Sequence, residues 1–306
     1  MTSEFQVAFA ACCAVSKADV PAVEAIKRLI EPLIRSRLNG IAESLLREWL
    51  ARLGRLPLGD VDRMKREVID ALLTALLADG EQVYGLPFDF DTRQAIREAV
   101  DALLAAGSTI GGSPDPTSAL LPIQAAAAER ELVMLVQEAV VGRFGEIRGL
   151  LGQFLTSEAT RTAQGLLGGA SVFDQQFLRA LAPQAGVAAA IDSWAYSTFA
   201  AGTIAGSRQQ GLTGFRLQAT VDGRETAFCH WINGQFVPLA RARRQALAIQ
   251  RATLAGDFEA LKHARPFLSP EIARRGNEVQ WERFFRRAGL PPFHFGCRTI
   301  PVPVYE

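Results

Sequence analysis

The sequence predicts an α+β chain: a predominantly α-helical N-terminal two-thirds, then a small α+β C-terminal module containing a β-hairpin and edge strands. Three observations carry this. Apolar residues recur at three- and four-residue steps through much of the first 210 positions, the spacing of one buried helical face. From Gly211 the pattern changes to short alternating runs separated by turn signals. The charge changes at the same place. Met1 to Ser207 holds 18 basic and 24 acidic residues, net −6, whereas Arg208 to Glu306 holds 15 and 8, net +7.

Taken in order, Asp19-Val20-Pro21 opens the first helix, with Asp19 placed to cap it and Pro21 in its first turn. Ile26, Leu29, Ile30, Leu33, Ile34, Leu38, Ile41, Leu45, Leu46 and Trp49 form its apolar stripe, and Gly54 with Pro57 to Gly59 closes it. Asp60 caps a second helix over Val61 to Leu77, Tyr84 to Phe90 is a loop, and Asp91 or Thr92 opens a third helix to Ala106. This acidic region, 1–106, ends at a Gly/Pro/Ser linker over 107–116 that cannot continue a helix. A second helical region, 117–210, has one or two long helices between Thr117 and Leu155. A capped start follows at Thr156, a break at Gly168-Gly169, and shorter helices over Phe173 to Leu181 and Gly186 to Gln210. The module, 211–306, begins with a strand at Phe215 to Val221 and a hairpin over Ile232 to Val237 around Asn233-Gly234. Helices at Arg241 to Leu254, Asp257 to His263 and Glu278 to Ala288 precede the alternating tail Arg298 to Tyr305, whose prolines suit an edge strand.

Four cysteines in 306 residues, two of them adjacent (Cys12, Cys13), exclude a disulfide scaffold. The apolar run Phe5 to Val15 follows Glu4 and lacks a basic flank, so no secretory signal is expected. No apolar run reaches the length of about 18 residues that a membrane span needs, so a soluble intracellular chain is expected. Dinucleotide, Walker, zincin and nucleophile-elbow motifs are missing. Cys229 could pair with His230, His263 or His294 as a nucleophilic dyad, but with two Cys and three His in one module such pairings arise by chance.

The sharper feature is a pair of clusters about 65 residues apart: Asp222-Gly-Arg224-Glu-Thr226-Ala-Phe-Cys229-His230, and Pro291-Pro292-Phe-His294-Phe-Gly-Cys297-Arg298. His-x-x-Cys is workable metal-ligand spacing, and Cys229 would make a third ligand. A fourth would have to be His263, from a helix, or His230, whose adjacency to Cys229 turns it away. Two readings stand side by side: a structural Zn²⁺ site, or a buried Cys and a hydrogen-bonded His that fasten the tail.

The order of Asp222, Arg224, Cys229, Gly234, Pro291, Pro292, His294, Cys297 and Arg298 resembles the phage Mu F-like minor head proteins, also called head morphogenesis proteins. The likeness spans about 90 residues, or about 120 with the helix before Phe215. It departs at Thr226, where many members have a second Cys, at Glu225 in place of Thr, at Phe295-Gly296, and at Thr299. Two of four thiol positions are thereby lost, which weakens a metal site carried over from the family. The resemblance implies a minor capsid component inside the virion head, a partner of the portal and major capsid proteins, with no catalytic residue. Arginines 241, 243, 244, 251, 274, 275, 283, 286 and 287 form a basic helical surface. It is a solvated face or a contact for packaged double-stranded DNA or an acidic partner. Trp281, Phe284 and Phe285 among them are expected in the core, not as base-stacking platforms. Two other classes remain open, a plain DNA-binding module and a toxin-type nuclease or transferase with a Mu F-like domain; no toxin domain is expected after Glu306.

Overall fold

The computed structural model describes residues 21–53, 90–112, 121–141, 146, 149, 184–207, 211–220, 223, 225–294 and 296–306. The expected cap Asp19, the helices over Val61 to Leu77 and Phe173 to Leu181, most of the Tyr84 to Phe90 loop, the Thr156 start, Cys12, Cys13, Asp222 and Arg224 lie outside them. The architecture is α+β, mostly helical with a small antiparallel sheet near the C-terminus. In order come α1 (Pro21–Leu53), α2 (Phe90–Gly111), α3 (Leu121–Val141), α4 (Gln184–Gly206), β1 (Leu212–Ala219), α5 (Ala227–Ile232) and β2 (Phe236–Pro238). α6 (Leu239–Ala255), α7 (Phe258–Ala264), α8 (Pro270–Arg275), α9 (Glu278–Arg287) and β3 (Thr299–Tyr305) follow.

The chain forms two compact units, each discontinuous in sequence: Met1–Glu31, Phe90–Leu135 and Ala189–Glu306 make one, and Pro32–Asp89 with Val136–Ala188 the other. In the second unit, Ile34, Leu38 and Ala42 of α1 are buried at four-residue steps, and Val136, Val140 and Val187 are buried as well.

The first unit contains the sheet. Its α2 runs through Gly107 to Gly111, so the first half of the expected linker is helical. The reason is tertiary. A Cβ on Gly107 would lie 2.1 Å from the Phe199 carbonyl oxygen, and one on Gly111 2.6 Å from that of Thr203. In return, a Cβ on Gly202 would lie 2.4 Å from the Leu104 carbonyl oxygen, and one on Gly206 2.3 Å from Ser108 Oγ. Glycines four apart on both helices let α2 and α4 meet backbone to backbone, and that contact outweighs glycine's poor helix propensity of about 1 kcal/mol. The rest of that segment, Ser113 to Pro116, lies outside the described residues. Trp194 of α4 is fully buried and its indole N–H donates to the Ala128 carbonyl of α3 at 2.9 Å.

The three strands are ordered β2-β1-β3, both pairings antiparallel. Along β1, Phe215, Leu217 and Ala219 are buried while Arg216 and Gln218 face outward, the alternation of a sheet covered on one face. It starts and stops two to three residues before the expected strand. Gly214 is required where β2 crosses, since a Cβ there would meet the Val237 carbonyl oxygen at 2.3 Å. Pro301 and Pro303 pair with Leu217 and Phe215, and β3 carries them on the sheet edge, where a missing N–H costs least. The Tyr305 hydroxyl donates to the Gly111 carbonyl at 2.8 Å.

The expected hairpin over Ile232 to Val237 is instead a helix, a turn and a strand. Phe228, Cys229 and Ile232 fall on one buried face of α5, and the Thr226 hydroxyl caps the helix by accepting from the Cys229 N–H. Asn233-Gly234 then makes the turn, with Gly234 at φ +85°, and sends β2 alongside β1 rather than back along its own chain.

A buried cation joins the helices of this unit. Arg265, 1% exposed at the C-terminal end of α7, donates through Nη1 to Glu131 of α3 and to Ser197 of α4, each at 2.5 Å.

Candidate metal centre

The site is assembled from the start of α5 and the stretch between α9 and β3. Aromatic packing fixes both. Phe228 of α5 contacts Trp231, Trp281, Phe284, Phe293 and His294, mostly edge to face at centroid distances of 5.6–6.4 Å. Trp281 and Phe285 are in this core, as their helical spacing predicts, and the Trp281 indole donates to the Ile272 carbonyl at 2.9 Å. Backbone bonds anchor the second cluster. Buried Gln245 of α6 accepts from the N–H groups of Gly289 and Leu290, each at 2.7 Å, and the Phe293 carbonyl accepts from Leu268 N–H at 2.8 Å. The Pro291–Pro292 bond between those anchors is cis.

His294 and Cys297 are brought to one side by a tight turn. The Cys297 N–H donates to the His294 carbonyl at 3.1 Å, and Gly296 takes φ +73°, the left-handed value a glycine adopts without strain. On the other side, the Asn233-Gly234 turn is stitched to β1: Ala219 N–H donates to Asn233 Oδ1 at 3.1 Å, and Gly234 N–H to the Leu217 carbonyl at 2.7 Å. Arg298 is half-buried, and its carbonyl accepts from the Thr220 hydroxyl at 3.2 Å.

Cys229, His294 and Cys297 therefore converge. Their ligand atoms all lie within 4.8 Å of one another, and all three side chains are buried. Cys229 Sγ is 3.0 Å from His294 Nε2. A residue outside the expected set joins them: Thr226 Oγ1 lies 3.2 Å from His294 Nε2 and 3.3 Å from Cys229 Sγ. Thr299 Oγ1 lies 3.4 Å from Cys297 Sγ alone.

The electrostatics suit a cation. A hydrogen bond from Cys297 holds the Cys229 thiol down to about 4, with His294 and Thr226 adding to the effect against the opposing cost of burial. Burial, and then the neighbouring Cys229 thiolate, pushes Cys297 well above the usual thiol value. One thiolate is thus preformed, and the second would lose its proton to an arriving metal. Two soft sulfurs, one imidazole and a small buried space fit a tetrahedral zinc-type ion, so this group could hold a metal.

Neither histidine expected as a fourth ligand is here. His230 points to the exposed side of α5 and pairs with Glu225 at 2.6 Å, because adjacent helical residues project about 100° apart. His263 sits exposed in the last turn of α7.

The arginines are spread over three helices. Arg243, Arg244 and Arg251 of α6, Arg274 and Arg275 of α8, and Arg283, Arg286 and Arg287 of α9 are exposed or half-buried at the surface. Arg241 is half-buried with its guanidinium 4.8 Å from the Phe285 ring centroid. The pairs Arg274/Arg275 and Arg286/Arg287 lie in last helical turns, where cations complement the helix dipole. No described helix is long and apolar enough to cross a membrane. No protein-family model, no curated protein and no solved structure matches this chain.

Proposed function

We propose that the chain is a minor head protein of a double-stranded DNA phage, a structural component held inside the head at the portal, and not an enzyme. One observation supports this reading above the others. Three of the residues that carry the resemblance to Mu F-like head proteins, drawn from two segments about 65 positions apart, meet in a single buried group, Cys229, His294 and Cys297. A chance likeness of two short segments gives no reason for them to touch. The group acts as a knot that ties the tail strand β3 to α5, and it takes a structural Zn²⁺, which stabilises a small module by linking distant segments. The arginines of α6, α8 and α9 then serve as a charged face toward portal or packaged DNA, meeting phosphate without reading sequence.

The test is assembly. Co-expressed with a portal protein of the same phage, the chain is expected to co-purify with portal oligomers and to be present in purified heads. Absence from both overturns the assignment. Binding to duplex DNA that weakens steeply with salt supports the arginine face, and no binding at low salt removes DNA as a partner.

A further inference from the structure

Three protein ligands leave a closed tetrahedral zinc one short. We propose that the Thr226 hydroxyl fills the fourth place, giving a neutral centre of two thiolates, one imidazole and one hydroxyl with Cys229, His294 and Cys297. This rests on the zinc reading above and adds to it a residue whose type, rather than its position, hides it as a ligand.

The geometry carries the proposal. Zinc bonds of about 2.3 Å to sulfur, 2.0 Å to nitrogen and 2.1 Å to oxygen put neighbouring ligand atoms about 3.4–3.8 Å apart around a tetrahedron, the longest edge being sulfur to sulfur. Thr226 Oγ1, His294 Nε2 and Cys229 Sγ form a triangle with edges of 3.2, 3.3 and 3.0 Å. Each edge is shorter than its tetrahedral value by about 0.6 Å or less, so a small outward movement of the three side chains makes room for the ion. Cys297 Sγ, within 4.8 Å of the other two protein ligands, closes the fourth corner by a small inward movement. The competing donors are worse placed. His230 is committed to Glu225 outside the core, and Thr299 Oγ1 reaches Cys297 only.

Charge favours a hydroxyl there. Zn²⁺ with two thiolates, a neutral imidazole and a neutral hydroxyl sums to zero. Cys229 and Cys297 belong to the same buried apolar cluster as Phe228 and Phe293. A third thiolate would leave a net negative charge in that cluster, and an unpaired buried charge is costly. The hydroxyl is also held in place before any metal arrives. As N-cap of α5 it accepts from the Cys229 N–H at 3.3 Å, which fixes its rotamer and leaves a second lone pair for the ion.

The experiment is a Co²⁺ titration and a competitive Zn²⁺ titration of the full chain, stripped of metal under reducing conditions. The variants are Thr226→Ser, Thr226→Cys and Thr226→Val. Wild type and Thr226→Ser are expected to give a four-coordinate Co²⁺ spectrum with sulfur-to-metal absorption for two thiolates. Thr226→Cys should raise that absorption by about half, as three thiolates replace two. Thr226→Val should lose about tenfold or more in Zn²⁺ affinity. Unchanged charge-transfer intensity in Thr226→Cys places Thr226 outside the coordination sphere while the zinc reading stands. Failure of the wild type to take up either metal removes the zinc reading and this inference together.

Discussion

Alanine substitutions at two helical glycines should move stability in opposite directions. Gly202 of α4 faces α2 so closely that a methyl group would sit 2.4 Å from the Leu104 carbonyl oxygen and 2.8 Å from Leu104 Cα. Those atoms are backbone and cannot swing away, so the two helices must part by about 1 Å. Overpacking of this kind costs about 1–3 kcal/mol, and unyielding backbone puts it near the upper end. Alanine's better helix propensity returns about 1 kcal/mol. Gly202→Ala should therefore destabilise by about 2 kcal/mol. Gly40, in α1, has nothing within 4 Å of an added Cβ, so Gly40→Ala should stabilise by about 1 kcal/mol. Urea unfolding followed by far-ultraviolet circular dichroism reads both shifts. A midpoint for Gly202→Ala equal to or above that of wild type would refute the close α2–α4 contact, and with it the helical state of Gly107 to Gly111.

Removing one member of the buried Glu131–Arg265 pair, as in Glu131→Gln or Arg265→Met, should cost about 3–5 kcal/mol; the double variant Glu131→Leu/Arg265→Met should recover most of it, and equal loss in all three would argue against the pairing. Phe293→Ala, at a fully buried ring in the C-terminal core, should cost about 3–5 kcal/mol and lower the melting of the module; a loss below about 1 kcal/mol would mean that the ring is not packed as described. Gly234→Ala meets no atom but forces a Cβ to φ +85°, so it should cost about 1–2 kcal/mol, and Gly234→Asn should cost less; equal midpoints for both variants and wild type would argue against the left-handed turn. In metal-free protein Cys229 has a folded value of about 4, below its unfolded one. Its contribution to stability is complete above the unfolded thiol value and is lost as pH falls toward 4. Thiolate absorbance that persists below neutral pH and is absent in Cys229→Ser checks this.

Much of the fold is legible in the sequence because its signals are local. The apolar stripe of α1, the Asp257 cap of α7, the alternation in β1 and the edge-strand prolines of β3 each announce one element through neighbouring residues. What fails depends on distant partners. Gly107 to Gly111 reads as a breaker until Gly202 and Gly206 are placed against it. Asn233-Gly234 does make a tight turn, but the segment before it is α5, because burial of Phe228 and Ile232 against Trp281 and Phe293 outweighs the local hairpin signal. Nothing near Glu131 or Arg265 in the chain marks them as a buried pair, since 134 positions separate them.

The site divides in the same way. Residue type and spacing single out Cys229, His294 and Cys297, and they do come together. His230 and His263 are candidates by type alone, and helix geometry turns both to the surface. Thr226 reads as a ligand lost; its hydroxyl nevertheless stands beside His294 and Cys229, because a capping residue three positions before Cys229 must point back at the first turn of α5. Residue type conceals what position retains.

The most direct measurement is the metal content of the full chain, purified without added metal or chelator, beside that of Cys297→Ser. The account predicts about one zinc per wild-type chain, removed by a strong chelator with a fall in melting temperature, and far less zinc in the variant. A wild-type content near zero, with melting indifferent to chelator, would contradict it.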